Sequence, residues 1–128
     1  MKALLPVLSV FISMAVFGQQ DDCNKFRNGK FKIIGDQGQE YIIVRNGSKQ
    51  IEYDVLNKSQ IELTVVWIDS CTYTLQFKKE ISKTGKHTFS KDMILTVVIL
   101  EYKEYSYLQR TSSNLYETIL EGEVFQID

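Results

Sequence analysis

The sequence predicts an all-β, antiparallel fold of seven to eight short strands, and three observations carry that expectation. The first is alternation. Between Ile61 and Phe77, the side chains of Ile61, Leu63, Val65 and Trp67 fall on one face of an extended chain, with Glu62 and Thr64 on the other. After Asp69-Ser70 the pattern resumes, with Cys71, Tyr73, Leu75 and Phe77 against Thr72, Thr74, Gln76 and Lys78. Successive side chains of a strand project to opposite faces, so period two marks a half-buried strand. The second observation is that no stretch sustains the 3.6-residue period of a helix, and the one proline, Pro6, lies near the start. The third is that turn-forming residues punctuate the chain at short intervals.

Taken in order, the chain begins with the grammar of a secretory signal peptide. Lys2 is a minimal positive region, Ala3 to Phe17 is uncharged and mostly apolar, and Val16-Phe17-Gly18 supplies a cleavage site before Gln19-Gln20-Asp21-Asp22. As a helix the apolar run spans about 22 Å at 1.5 Å per residue, short of the ~30 Å hydrocarbon core of a bilayer. The expectation is therefore a signal peptide over residues 1–18 and one β domain over 19–128, secreted or periplasmic, with no membrane span after cleavage. Lipidation at Cys23 is excluded because Gln20, Asp21 and Asp22 precede it. Losing Lys2 leaves 14 basic against 16 acidic residues. That balance gives no electrostatic reason to approach nucleic acid or anionic lipid.

Both cysteines, Cys23 and Cys71, stay in the mature chain, and an even count outside the cytoplasm argues for a disulfide. Two free buried thiols or a metal-binding pair are the alternatives. With His87 as the one histidine, a metal centre lacks ligands, and none is expected.

Gln19 to Arg27 is polar and reads as loose until Cys23 pins it. Lys30 to Ile34 alternates, Gly35-Asp36-Gln37-Gly38 turns, and Gln39 to Arg45 forms the next strand. Asn46-Gly47 is a strong hairpin signal because both residue types tolerate positive φ. Lys49 to Tyr53 returns, with Ile51 and Tyr53 opposite Gln50 and Glu52. Asp54 to Gln60 connects to the central hairpin. Lys79 to Lys91 is the longest polar stretch and reads as a mobile loop bent at Gly85. Met93 to Tyr102 is apolar on both faces, which suggests a strand covered on both sides. Tyr105 to Arg110 follows, and Glu123 to Ile127 closes the domain, with Leu115 to Leu120 ambiguous.

A flat sheet of this size would leave one face wet, so the meander is expected to curl into a small barrel or a strongly bent, lipocalin-like sheet. An immunoglobulin-like sandwich is the alternative. It favours a Cys–Trp–Cys order, but Trp67 stands only four residues before Cys71, in the same hairpin.

The sequence offers little chemistry. Thr84-Gly85-Lys86-His87-Thr88 lacks the Ser or Thr that a phosphate loop needs directly after Gly-Lys. Glu117, Glu121 and Glu123 read as solvated surface. The expectation is a non-enzymatic protein with no cofactor. The aromatics on strands leave two readings: ordinary packing, or a pocket for a small lipophilic ligand lined by Tyr41, Trp67, Tyr73 and Phe77.

Cys23-Asn24-Lys25-Phe26-Arg27-Asn28-Gly29-Lys30-Phe31 and Trp67-Ile68-Asp69-Ser70-Cys71-Thr72-Tyr73 resemble a family of small secreted bacterial proteins with the pattern C-x-x-F-x-x-G-x-F, then W-x-x-x-C-x-Y. The resemblance covers nearly all of the mature chain and implies secretion and a Cys pair, with no established activity. Some members carry the name DNA topoisomerase IV. A mildly acidic chain of 110 residues has no room for the domains such an enzyme needs. Function is thus expected to be that of an exported binding or interaction module for an unknown protein partner. The alternative is an extracytoplasmic carrier of a small lipophilic ligand.

Overall fold

Strands form where the alternation runs. They are β1 (Gly29–Ile34), β2 (Glu40–Asn46), β3 (Lys49–Asp54), β4 (Ser59–Asp69), β5 (Thr72–Glu80), β6 (Ile94–Tyr102), β7 (Ser106–Ser113) and β8 (Leu120–Gln126). The computed structural model describes residues 22–82 and 89–128. The segment read as a signal peptide, the loop bend at Gly85 and His87 lie outside the described residues. Each strand pairs antiparallel with the next, and β1 pairs with β8 through Phe31↔Gln126, Lys32↔Phe125 and Ile33↔Val124, so the sheet closes into a barrel. Closure leaves no free strand edge, and the sandwich alternative is set aside.

An antiparallel meander places its connections alternately at the two ends. One end carries the β2–β3, β4–β5 and β6–β7 turns. The other carries the β1–β2, β3–β4, β5–β6 and β7–β8 loops.

The first end is sealed by the segment directly before β1. From Asp22 on, the polar segment pinned by Cys23 forms a 3₁₀ helix (Asp22–Phe26) that its composition did not suggest. Two things hold it. Cys23 is disulfide-bonded to Cys71 in the β4–β5 turn, and Cys23 and Phe26 are both fully buried. The Phe26 ring lies 4.9 Å from that of Tyr107 and 6.4 Å from that of Phe31. A bridge spanning 48 residues removes enough unfolded-chain entropy to stabilise by roughly 4 kcal/mol.

The core runs up the barrel through Phe31, Ile43, Leu63, Val65, Leu75, Val97 and Val124. The two-sided cover expected of β6 is absent: on its outer face Ile94 and Leu100 are exposed. In a closed barrel only one face of each strand is inside, so the second apolar face of β6 is left to the surface. The β2–β3 turn also differs from expectation. Asn46 is the last residue of β2, paired with Lys49, and of the residues Asn46 to Lys49 Gly47 carries the positive φ, at 63°. The two-residue loop is therefore Gly47-Ser48, with glycine at the first central position as a type II′ turn requires.

Candidate functional site in the barrel interior

The β2–β3 turn fixes what the interior contains. A two-residue loop pairs Arg45 with Gln50, Ile43 with Glu52 and Tyr41 with Asp54. Cross-strand partners share a face, so once Ile43 and Arg45 turn inward, Gln50, Glu52 and Asp54 follow. The more apolar face of this hairpin, with Ile42, Val44, Ile51 and Tyr53, is turned outward, and Val44 is exposed.

Arg45 is 2% exposed and sits just above the sealed end. Its Nε donates to Gln50 Oε1 at 2.8 Å, and Nη1 donates to the Phe26 carbonyl at 2.7 Å. Nη2 donates to the hydroxyls of Tyr73 at 3.0 Å and Tyr107 at 3.2 Å. Its guanidinium also lies 4.9 Å from the Phe31 ring and 4.6 Å from the Tyr73 ring. Burying a charge is tolerable only when its donors are satisfied, and this fork meets four acceptors. Burial opposes the charge, but Tyr73, Tyr107 and Glu52 around it outweigh burial and hold the guanidinium protonated. Burial, and after it the neighbouring Tyr107, pushes the Tyr73 phenol well above its usual range.

The polar chain continues toward the other end. Gln50, itself buried, donates from Nε2 to Glu52 Oε2 at 2.9 Å. Burial raises the Glu52 carboxyl above the usual carboxylate range, with the Gln50 bond and Arg45 pulling the other way. Among the described residues no cation forms an ion pair with Glu52.

Glu52 looks into the open end, where three hollows adjoin. A cavity of about 270 Å³ is lined by Tyr41, Glu52, Asp54, Ser59, Ile61 and Phe89. A smaller one of about 90 Å³ shares Glu52, Ile61 and Phe89 and adds Leu63, Leu75, Phe77, Met93 and Leu95. A third, of about 260 Å³, shares Met93 and Leu95 and continues to Thr111, Tyr116 and Leu120. The track is thus acidic and hydroxylated at the β2–β4 wall and apolar from β5 across to the β7–β8 loop. Phe77 and Phe89 stack across it at 5.3 Å between ring centroids.

The four aromatics named from sequence do not form one pocket. Tyr41 lines the acidic hollow and Phe77 the apolar one. Trp67 and Tyr73 pack on each other at 4.6 Å near the sealed end, with Arg27 stacked 4.7 Å from the Trp67 ring. The interior polar chain of Arg45, Gln50 and Glu52 was not foreseen. The signal for it was present: a two-residue turn after Arg45 forces Gln50 and Glu52 onto the same face as Ile43 and Arg45.

The rim of the open end is apolar as well. Leu56 in the β3–β4 loop and Leu115, Tyr116 and Ile119 in the β7–β8 loop are all exposed. Among the described residues no group of His, Cys, Asp and Glu gathers to hold a metal, and no helix is long and apolar enough to cross a membrane.

The chain matches no protein-family model and no curated protein. The resemblance carried by the C-x-x-F-x-x-G-x-F and W-x-x-x-C-x-Y patterns rests on those residues alone.

Proposed function

We propose that this chain is an exported, non-enzymatic binding barrel that carries a small, largely lipophilic molecule in its open end. The observation that supports it most is the polarity of the two ends. One is closed by a disulfide-anchored helix, while the other holds three adjoining hollows walled by Ile61, Phe77, Phe89, Met93 and Leu95. Small eight-stranded barrels have room for one such ligand, and apolar walls with a few placed polar groups are the usual makeup of a ligand site. The Cys23–Cys71 bridge fits an oxidising compartment. The non-enzymatic reading draws on the carboxylates: Glu52 accepts from the Gln50 amide and Asp54 from the Asn57 amide, contacts that hold shape.

The test is binding of the uncharged fluorophore N-phenyl-1-naphthylamine. Enhanced fluorescence with the wild-type protein, lost in a folded Ile61→Trp variant that fills the shared wall of two hollows, is the expected result. No enhancement, or enhancement indifferent to Ile61→Trp, overturns the carrier reading.

The exposed rim favours a second reading, an interaction module that engages a protein partner at the open end. Leu56→Asp with Tyr116→Asp would then abolish partner binding and leave fluorophore binding intact. Partner binding unaffected by the pair would dismiss the rim.

A further inference from the structure

Resting on the carrier reading, the geometry points to the ligand's chemical class: an amphiphile whose cationic, hydrogen-bond-donating head, such as a primary ammonium, sits against Glu52 while its apolar body lies along Phe77, Met93 and Leu95. The acidic hollow presents two carboxylates, Glu52 and Asp54, and two hydroxyls, Tyr41 and Ser59. Among the described residues lining the three hollows there is no Lys or Arg. Against the described lining an anionic head meets the like charge of Glu52 and, as side-chain donors, the two hydroxyls, whereas an ammonium offers three donors and no acceptor, the complement of that carboxylate.

Glu52 is built for such a contact. One of its oxygens is held by Gln50, which is held in turn by Arg45, so the carboxylate is aimed by a buried chain anchored in the sealed end. The arrangement supports a fixed orientation, because each member is locked by the next. Burial makes the charged form of Glu52 costly in the unliganded barrel. Arg45 reaches Glu52 only through Gln50, so a cation entering the hollow supplies a direct contact to the carboxylate, and charge-assisted hydrogen bonds are roughly twice as strong as neutral ones. Selectivity then arises because a neutral or anionic head gives that carboxylate no charge-assisted partner. The body's path follows from the shared lining. Ile61 and Phe89 join the acidic hollow to the middle one, and Met93 and Leu95 join the middle one to the third.

The test is calorimetric titration at neutral pH with three ligands of one chain length: octylammonium, 1-octanol and octanoate. Octylammonium is expected to bind at least about tenfold more tightly than octanol, and octanoate most weakly. In Glu52→Gln, which keeps an oxygen acceptor for Gln50, the preference for octylammonium over octanol should vanish. Should that variant fail to fold, the wild type provides the same answer. The ammonium preference should fall as acid protonates Glu52, whose surroundings are Arg45 on β2, Asp54 on β3 and the Tyr41 and Tyr73 phenols. Octanol binding without ammonium preference, octanoate binding as tightly as octylammonium, or a preference that survives both Glu52→Gln and acid overturns the head-group assignment and leaves the carrier reading standing. If none of the three binds, the carrier reading falls with it.

Discussion

Two neighbouring hairpins of this barrel are built on the same plan and filled in opposite ways. Both β2–β3 and β4–β5 turn through two residues, Gly47-Ser48 and Ser70-Cys71. The β4–β5 hairpin sends Leu63, Val65, Tyr73 and Leu75 into the core and keeps Thr64, Val66, Thr74 and Gln76 outside. The β2–β3 hairpin sends Arg45, Gln50 and Glu52 inward beside Ile43 and leaves Ile42, Val44, Ile51 and Tyr53 outside. One wall is held by apolar area removed from water. The other is held by satisfying a single guanidinium. The acidic and apolar hollows meet at Ile61 and Phe89, where one kind of wall gives way to the other.

The sharpest way to break this contrast is to remove the charge from the polar wall. Arg45→Met leaves the Phe26 carbonyl and Gln50 Oε1 without their donor and returns two buried phenols to each other. Breaking such a buried network by one member costs about 3–5 kcal/mol. Urea denaturation should show that loss, and the 3₁₀ helix, whose last carbonyl Arg45 holds, should exchange its amides faster. A loss below about 1 kcal/mol would mean that apolar burial sustains both walls.

The disulfide is the next largest lever, since it fastens the helix to the β4–β5 hairpin. Cys71→Ala should lower stability by about 2–4 kcal/mol, seen as a shift in denaturation midpoint that reductant reproduces in the wild type. Equal midpoints with and without reductant would refute any stabilising role for the bridge.

A matched pair of valines then reads the two hairpins directly. Val65 is 2% exposed in β4 and Val44 is 44% exposed in β2. Val65→Ala removes two buried carbon groups and should cost about 2 kcal/mol. Val44→Ala should stay within about 0.5 kcal/mol. Similar losses at the two sites would show that the outer face of β2–β3 is covered in solution.

These hairpins also separate what the sequence made legible from what it did not. The faces of the β4–β5 hairpin read correctly because its apolar alternation and its burial agree, but its turn falls at Ser70-Cys71 and not at Asp69-Ser70, which takes Cys71 out of the strand. The Cys pair reads correctly too, and its bridge fixes which end of the barrel is sealed. The inward face of β2–β3 is hidden because apolar periodicity points to the wrong side. Ile42, Val44, Ile51 and Tyr53 form the more hydrophobic face, yet Arg45 can be buried only if Gln50 and Glu52 come with it. Periodicity ranks faces by transfer energy and is blind to a polar network whose members lie on different strands. The helix at Asp22–Phe26 was hidden for a related reason. Its stability comes from Cys71 and Arg45, far along the chain, and not from its own polar residues. Local conflict of this kind tends to mark functional positions, and here it falls on the wall that carries Glu52.

The smallest expected effect is the pH dependence of that wall, and its sign discriminates between two accounts of Glu52. Burial raises the carboxyl's pKa in the folded protein above its unfolded value. Between those two values the folded state binds a proton that the unfolded chain has released. Stability from this group is therefore greatest below the unfolded pKa, is lost as pH rises through the folded pKa, and is constant above it. Glu123 runs the other way: the Ser106 hydroxyl and then Lys103 hold it below its usual range, so its contribution is lost on acidification. Total stability mixes the two, but the difference between wild type and Glu52→Gln isolates the first. That difference should grow from acid toward neutral pH, with the glutamine variant the more stable at neutrality. The opposite sign, with Glu52→Gln weaker at neutral pH, would mean that Arg45 acts through Gln50 as a true counter-ion. The carboxylate would then serve the fold in place of a ligand.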